Sequence, residues 1–296
     1  MTTIDAPREA AAPVAPLPAK RGRGRAGERA GIGTYVVLGL TAALFLFPFY
    51  YSLVAGSHPP ADLYDGSPPL LPGPGLFTNM GLALEEADLI QALGRSLIVA
   101  TVVTVATVFF CTTAGFAFAK LRFRGRNALF GITLATLTIP PTLGIVPLYV
   151  VMSELGLVNN LLSVILPAAV TAFGVFFMRQ FLTQSLPDEL LEAATVDGAS
   201  LTRTLFEIVL PIARPGMAVL GILSFMASWN DFLWPFIVVR NTPTIQVAVA
   251  SISAGYTPDI SVILAGTVIA TVPLVIVTAI FGKQIVAGIT AGAVKG

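Results

Sequence analysis

Six stretches of about 20 or more mostly apolar residues recur along this chain of 296 residues. A helix needs about 20 such residues to cross the ~30 Å hydrocarbon core of a bilayer. With 55% hydrophobic and 11% charged residues, the chain lies far outside the composition of soluble domains. The sequence therefore predicts an all-α membrane protein with six transmembrane helices, at 34–55, 96–119, 128–152, 161–181, 216–239 and 261–281.

The distribution of basic residues indicates which side of the membrane each loop faces. Six spans place both termini on the same side, and of the 17 lysines and arginines only Arg95 and Arg240 fall on the opposite side. Short cytoplasmic loops are enriched in Lys and Arg. Both termini and the 182–215 loop are therefore predicted to be cytoplasmic.

Residues 1–30 precede the first span and are rich in Ala, Pro, Gly and Arg, which predicts a disordered tail. Its basic cluster is interpreted as a topology signal, with an arm that binds lipid or nucleic acid as the alternative. The 34–55 span is too long for a typical secretory signal, so it is read as an uncleaved anchor. Residues 31–296 are predicted to form one transmembrane domain.

The segment 56–90 has six prolines, five acids and no lysine or arginine, which indicates an external loop. His58, the only histidine, lies there without another histidine or a cysteine nearby. Neither a metal site nor a catalytic role is expected for it. The single cysteine, Cys111, lies inside an apolar span and cannot form an intramolecular disulfide.

The 182–215 loop contains five acids and two arginines, a net charge of −3. Because cytoplasmic loops of this length are usually basic, the charge indicates a docked protein partner and not lipid headgroups. The order Ser185-Leu186-Pro187-Asp188 predicts a helix start, with a hydroxyl cap, an early proline and an acid at the positive end of the helix dipole.

A helix-turn-helix is predicted within this loop. The first helix is expected over 190–196, and Gly198 supplies the positive φ that closes it. Ser200 can cap a second helix, with Leu201, Leu205 and Ile208 on one face. Leu210-Pro211 and Pro215 are predicted to end that second helix.

No motif for enzymatic chemistry is present in the sequence. It lacks the Gly-x-x-x-x-Gly-Lys-Ser/Thr loop that cradles phosphates, so any ATP must be hydrolysed by another subunit. It also lacks a His-Glu-x-x-His site and a nucleophile elbow. The chain is therefore predicted to be no enzyme, to bind no cofactor or metal itself, and to have no nucleic-acid partner.

Polar residues inside the spans are rare, which makes Asn230-Asp231 in the fifth span a candidate site. An acid at membrane depth costs at least ~2.5 kcal/mol on insertion scales, so it should face protein or water. Two interpretations stay open for this pair: capping a helix broken near Pro235, or lining a solute path. Trp229 and Trp234 are solute-path candidates too, although tryptophans are also ordinary interface anchors.

Several motifs occur in a fixed order from about Ala92 to the C-terminus. Those in the 182–215 loop are Glu192-Ala193-Ala194, Asp197-Gly198-Ala199, Phe206, Ile208, Leu210-Pro211 and Pro215. Those outside it are Ile139-Pro140-Pro141, Pro147-Leu148-Tyr149, Trp229-Asn230-Asp231-Phe232-Leu233-Trp234-Pro235 and the terminal Ile289-Thr290-Ala291-Gly292. In this combination the chain resembles bacterial ABC importer permeases, whose "EAA loop" docks into the ATPase subunit, and within them the maltose-type permeases.

The resemblance implies a type I importer permease fold with a cytoplasmic coupling loop. It implies ATPase docking by Leu190, Glu192, Ala193, Ala194, Asp197, Gly198 and Ala199, whereas helix solubility and capping are the alternative for Glu192 and Asp197. It also implies that Thr290, Ala291 and Gly292 enter the interface between the ATPases; spacing alone predicts a frayed terminus there.

The partners implied by the resemblance are two ATPase subunits that use ATP and Mg²⁺, a second permease, an extracellular or periplasmic solute-binding protein, membrane lipid and a sugar. The location implied is the bacterial plasma membrane. Two other functions stay open: the same architecture carrying another solute, such as a polyamine or a glycerol phosphate derivative, and an ion-coupled secondary transporter or channel.

Overall fold

Helices make up the structure, a computed structural model that describes residues 31–64, 66–254 and 259–293, with 283–293 as backbone only. Across those residues no strand is present, which confirms the all-α prediction. The predicted disordered tail at 1–30 lies outside the described residues.

Fourteen α-helices follow one another along the described chain. The helices are α1 (Ile32–Ala55), α2 (Pro60–Tyr64), α3 (Leu76–Glu86), α4 (Leu89–Lys120), α5 (Arg126–Thr136), α6 (Ile145–Glu154), α7 (Leu162–Ala168), α8 (Ala172–Ser185), α9 (Asp188–Val196), α10 (Leu201–Thr204), α11 (Leu210–Trp229), α12 (Leu233–Val238), α13 (Ile245–Ile252) and α14 (Ile260–Ala293). A 3₁₀ turn, Pro141–Gly144, precedes α6, and a π turn, Leu205–Val209, precedes α11.

Five helical segments of the described chain are long and apolar enough to cross a membrane, and a bent pair raises the number to six. The bent pair is Arg126–Thr136 with Pro141–Glu154, which meet at 96°. It corresponds to the span predicted at 128–152, which is broken because Pro140 and Pro141 lie at the bend and a proline cannot donate a helical hydrogen bond. The other five are Ile32–Ala55, Leu89–Lys120, Leu162–Ser185, Leu201–Trp229 and Ile260–Gly282.

The structure separates into two units, one ending at Phe47 and one beginning at Pro48. Within the second unit, α4 is the central helix, since it contributes to all three clusters of buried apolar side chains. It supplies Leu89 and Ala92 to one cluster, Val99 and Val103 to another, and Phe116 to the third. The core of this unit is therefore organised around a single 32-residue helix.

The crossing of α4 and α8 depends on small residues. A Cβ placed on Gly115 would lie 2.7 Å from the backbone nitrogen of Arg179, and one on Gly174 would lie 2.7 Å from Cys111 Sγ. Real Cβ atoms do not approach other atoms so closely, so both positions require glycine at this helix separation. Small residues at such crossings let helix backbones approach in membranes.

The prediction that Pro211 and Pro215 end the second loop helix is wrong. Instead α10, the π turn and α11 continue into one another as far as Trp229, with Pro211 in the first turn of α11 and Pro215 inside it. A π turn ahead of a proline relieves the missing hydrogen bond and the ring clash that would otherwise break the helix. The fifth span consequently starts and ends earlier than the predicted 216–239.

Candidate functional site

The first loop helix, α9, begins at Asp188, and most of its residues are exposed. Its N-cap is Pro187, with no side-chain cap, and Asp188 and Glu189 occupy its first turn, where acids are favoured by the helix dipole. Ser185 does not cap it, contrary to the sequence prediction. That residue ends α8 instead, and its hydroxyl donates to the Phe181 carbonyl at 2.7 Å.

The turn after α9 confirms the predicted roles of Gly198 and Ser200. Gly198 has φ +71°, its N–H donates to the Thr195 carbonyl at 3.1 Å, and Ala199 N–H donates to the Ala194 carbonyl at 2.9 Å. These two bonds make a Schellman motif, which requires the left-handed conformation at the glycine. Ser200 Oγ then accepts from Arg203 N–H at 3.2 Å and caps α10.

The predicted docking residues divide into an outward and an inward set. Leu190 is 42% exposed, and Glu192, Ala193, Asp197 and Gly198 are exposed too. Ala199 is half-buried and Ala194 is 6% exposed, so Ala194 packs inward. The exposed set forms a continuous surface on α9 and its turn.

Val196 belongs to this surface, and the sequence interpretation did not include it. Its side chain is 88% exposed, which is unusual for a large apolar residue on a loop that is otherwise polar. Its position three residues after Ala193 and four after Glu192 is a signal that could have placed it on the same helix face.

The base of the loop is apolar and buried. Leu182 and Leu186 are fully buried, and they share a cluster with Phe116 of α4 and with Val209 and Ala213 at the start of the fifth span. α9 adds Leu191 to the edge of this cluster, so the loop helix packs against side chains from three of the spans. A displacement of α9 acts on this cluster and not on a free loop.

Both tryptophans named as solute-path candidates have their indole N–H groups engaged in the helix bundle. Trp229 is 2% exposed, donates to the Ala270 carbonyl at 3.1 Å and stacks on Phe225. Trp234 donates to the Ser163 carbonyl at 2.9 Å. These contacts favour packing roles for both rings.

Asn230 and Asp231 have different surroundings. The Asn230 side chain donates to the Met226 carbonyl at 2.8 Å, so it satisfies an acceptor at the end of α11. Asp231 instead lines a cavity of about 410 Å³ between α4, α7, α8 and α11. The Asp231 carboxylate also accepts a hydrogen bond from the Trp234 N–H in the first turn of α12. The capping interpretation therefore fits both residues, and Asp231 in addition lines the cavity, as the solute-path interpretation requires.

Two serines missed by the sequence interpretation share this cavity. Ser224 and Ser228 are four residues apart on one face of α11, and Asp231 follows three residues later, just past the end of the helix. Thr107 and Thr171 also line the cavity, but their hydroxyls already bond to the Ala168 carbonyl and to Gly174 N–H. The 4-then-3 spacing of polar residues in an apolar span was the available signal.

The predicted ATPase-interface residues Thr290, Ala291 and Gly292 lie in the last turns of α14, whose backbone is helical to Ala293. Their side chains lie outside the described residues. Within the described residues no group of three or more His, Cys, Asp or Glu could hold a metal ion.

Comparison with known proteins gives a family match over most of the chain. Residues 111–290 match the family described as "Binding-protein-dependent transport system inner membrane component". The arabinooligosaccharides transport system permease protein AraQ of Halalkalibacterium halodurans is 35% identical, over 86% of this chain and 93% of that protein. The lactose transport system permease protein LacG of Rhizobium radiobacter is 32% identical, over 88% and 95%.

Two further relatives extend this comparison. The sn-glycerol-3-phosphate transport system permease protein UgpE of Yersinia pestis is 30% identical, over 86% of this chain and 94% of that protein. A crystal structure of a bacterial ABC transporter involved in the import of the acidic polysaccharide alginate superposes with a TM-score of 0.73 at 24% identity, covering 86% of this chain and 95% of the other. This structural similarity supports the fold of the chain. The chain therefore belongs to the family of inner membrane components of binding-protein-dependent transport systems.

Proposed function

We propose that this chain is a permease subunit of an ATP-driven importer that receives a sugar, a di- or oligosaccharide, from a separate binding protein. The names of two relatives at 32–35% identity refer to lactose and to arabinooligosaccharides, which supports a sugar as the solute. The chain itself contributes the path and the mechanical coupling, and it binds no cofactor.

The observation that carries this proposal is the cavity at Asp231. Its volume of about 410 Å³ falls within the roughly 300–1,000 Å³ typical of small-molecule sites. Ser224, Ser228 and Asp231 offer hydroxyl and carboxylate oxygens to sugar hydroxyls. Phe173, Leu220 and Leu223 offer apolar walls to the faces of a sugar ring.

A glycerol phosphate solute is the second candidate, because UgpE is 30% identical. Phosphate groups are commonly bound by arginine and lysine side chains. Among the described residues that line the cavity, the one charged side chain is the acidic Asp231. This lining favours a neutral sugar over a phosphate.

The proposed assembly has two ATPase subunits, which bind the ATP and Mg²⁺, and a second permease homologous to this chain. A solute-binding lipoprotein or periplasmic protein docks from outside, and both termini are cytoplasmic in the bacterial plasma membrane. The exposed surface of α9, with Leu190, Glu192, Val196 and Asp197, is the proposed ATPase contact. Closure of the ATPases would move α9 and rock the spans between inward-open and outward-open states.

The first experiment purifies the tagged chain from membranes and identifies the proteins that accompany it. We expect an ATPase and a second permease with the wild type, and loss of the ATPase with Glu192→Lys. Glu154→Lys, at the exposed end of α6, makes the same change of charge away from the loop and should retain the ATPase. A chain that purifies alone in all three forms would refute the importer and favour an ion-coupled transporter.

The second experiment reconstitutes the recovered complex, with its binding protein, into vesicles. ATP-driven uptake is then screened with lactose, arabinooligosaccharides and sn-glycerol-3-phosphate. Stimulation of ATP hydrolysis by a neutral sugar would support the proposal. Stimulation by the phosphate alone would overturn the choice of solute and leave the permease function standing.

A further inference from the structure

Lys120 and Asp188 join the last residue of α4 to the first residue of α9. Lys120 Nζ donates to Asp188 Oδ1 at 2.6 Å, across a separation of 68 residues. The Lys120 side chain is 9% exposed, whereas the Asp188 side chain is 73% exposed. Within the described residues, Asp188 is the one acid paired with Lys120.

The two ends of this pair have different energetic constraints. The Lys120 side chain is mostly shielded from water, and its ammonium group meets the exposed carboxylate of Asp188, so the two form a partly exposed ion pair whose attraction favours the contact modestly. Asp188 is additionally favoured at its position by the dipole of α9, since it lies in the first turn. The contact therefore fixes the N-terminus of α9 relative to the end of α4.

The covalent connection from α8 to α9 is short and not helical. Between α8 and α9 the chain passes through Leu186 and Pro187, both in extended conformation, so no helix runs continuously from α8 into α9. The salt bridge supplies a second, non-covalent connection that bypasses this link. It leads directly into α4.

The middle of the same helix reaches the cavity. Val103 and Thr107 of α4 line the cavity at Asp231. Thr107 lies 13 residues before Lys120, or about 20 Å along the axis at the helical rise per residue. Because α4 is one uninterrupted helix over this distance, a displacement at Lys120 reaches the cavity wall.

We infer that the Lys120–Asp188 salt bridge is a strut that transmits movement of α9 to α4, and through α4 to the solute cavity. Both residues are positioning residues, since neither touches the solute. The inference rests on the proposed function, because α9 moves only if an ATPase grips it.

The test reports the state of the cavity without needing the identity of the solute. Ser228→Cys is introduced as a reporter, and its labelling by N-ethylmaleimide is quantified by peptide mass spectrometry. The purified complex is labelled with and without ATP and vanadate, and the ratio of the two rates measures how far the cavity responds. The native Cys111 is buried and is monitored separately as its own peptide.

In the complex whose one substitution is Ser228→Cys, we expect the labelling rates with and without ATP and vanadate to differ clearly. Lys120→Met and Asp188→Asn should each move the ratio of these rates toward one, by roughly two- to fivefold in line with the coupling of a partly exposed ion pair. The double variant should be no worse than either single variant, because both remove the same contact. Lys120→Arg keeps the charge and should retain most of the response. Arg124→Met, an exposed basic residue between α4 and α5, is the matched control and should behave as wild type.

Two results would overturn the inference while leaving the proposed function intact. One is a cavity that does not respond to ATP in the wild type although the ATPase is present. The other is a response unchanged in Asp188→Asn with its ATPase retained. If Lys120→Met fails to fold, Asp188→Asn alone tests the inference, because the Asp188 side chain is mostly exposed and its substitution should be tolerated. If Asp188→Asn loses the ATPase, the pair is a docking contact and the inference is wrong. A wild-type complex without any ATPase would refute the proposed function itself.

Discussion

The docking surface on α9 and the cavity at Asp231 are built in opposite ways. The turn that shapes the docking surface is closed by hydrogen bonds between residues at most five apart, such as Ala199 N–H to the Ala194 carbonyl. The cavity is enclosed by α4, α7, α8 and α11, and its residues extend from Val103 to Asp231. A local structure survives small shifts of its surroundings, whereas a cavity between helices changes with every shift of a helix.

This contrast predicts that helix crossings control the cavity. Gly115→Val would place side-chain atoms against the Arg179 backbone and separate α4 from α8. Overpacking of this kind typically costs about 1–3 kcal/mol, and backbone contact puts this site at about 3 kcal/mol. Thermal unfolding in detergent would measure the loss of stability. Gly94→Val in the same helix has open space around its Cβ and should unfold close to wild type; equal losses at both positions would refute the close crossing.

The docking surface should respond to a single backbone conformation. Gly198→Val would force a β-branched residue to φ +71°, which costs about 1–2 kcal/mol and favours a different turn. We expect the ATPase to be lost from the purified complex, with the cavity unaffected in the isolated chain. Gly156→Val carries the same strain at φ +67° between α6 and α7 and should keep the ATPase. Loss of the ATPase from both variants would show general destabilisation and contradict the local interpretation.

The same contrast explains how much of the molecule the sequence predicts. Capping, turn closure and span composition act over a few residues, so the roles of Gly198 and Ser200 and the all-α fold were predicted correctly. By contrast, the neighbours of a residue in sequence do not reveal which distant residues it contacts in the fold. The assignment of Trp229 to the solute path could not foresee the Ala270 carbonyl, which lies 41 residues further along the chain.

Prolines show where local rules fail. Pro211 and Pro215 predict a helix end, yet the helix continues because a π turn at 205–209 accommodates them and the surrounding spans hold the helix together. At Pro140 and Pro141 the same rule holds and the helix pair bends by 96°. The positions differ, since Pro211 falls in the first turn of α11, where a missing N–H is tolerated, whereas two consecutive prolines stand at the break.

The cavity itself should respond modestly to single polar changes. Ser228→Ala removes one hydroxyl from the lining, and a typical hydrogen bond contributes about 1 kcal/mol, which corresponds to roughly a fivefold change in KM for uptake. The amount of ATPase that copurifies with the chain and the thermal unfolding temperature should stay at wild-type values. Ser253→Ala is the matched control, since its exposed hydroxyl donates to the Ala250 carbonyl outside the cavity. An unchanged KM in Ser228→Ala would remove this residue from the solute path.

The smallest effect that we expect is a pH dependence of local stability in the segment between α1 and α3. In this segment both ring nitrogens of His58 lie close to oxygen acceptors. Its Nδ1 lies 3.1 Å from Asp62 Oδ2 and its Nε2 lies 3.0 Å from the Leu71 carbonyl. Only the doubly protonated ring can donate to both. The hydrogen bond to Leu71, and then the one to Asp62, raise the pKa of His58 above its ordinary value of 6.5.

Because this pKa is raised in the folded state, the protonated ring stabilises the segment fully below pH 6.5, and this stabilisation is lost as the pH rises through the folded-state pKa. The Gly73 amide, which donates to Ser57 Oγ next to His58, should therefore exchange hydrogen faster at about pH 8 than at about pH 5.5 after correction for intrinsic rates. Asp62→Asn weakens the contact with His58 and should flatten this pH dependence.

Unlike the turn of the docking surface, this segment is held by a contact between residues 13 apart in sequence, His58 and Leu71. A dependence that persists in His58→Gln would assign the effect to another group and remove the histidine from this contact.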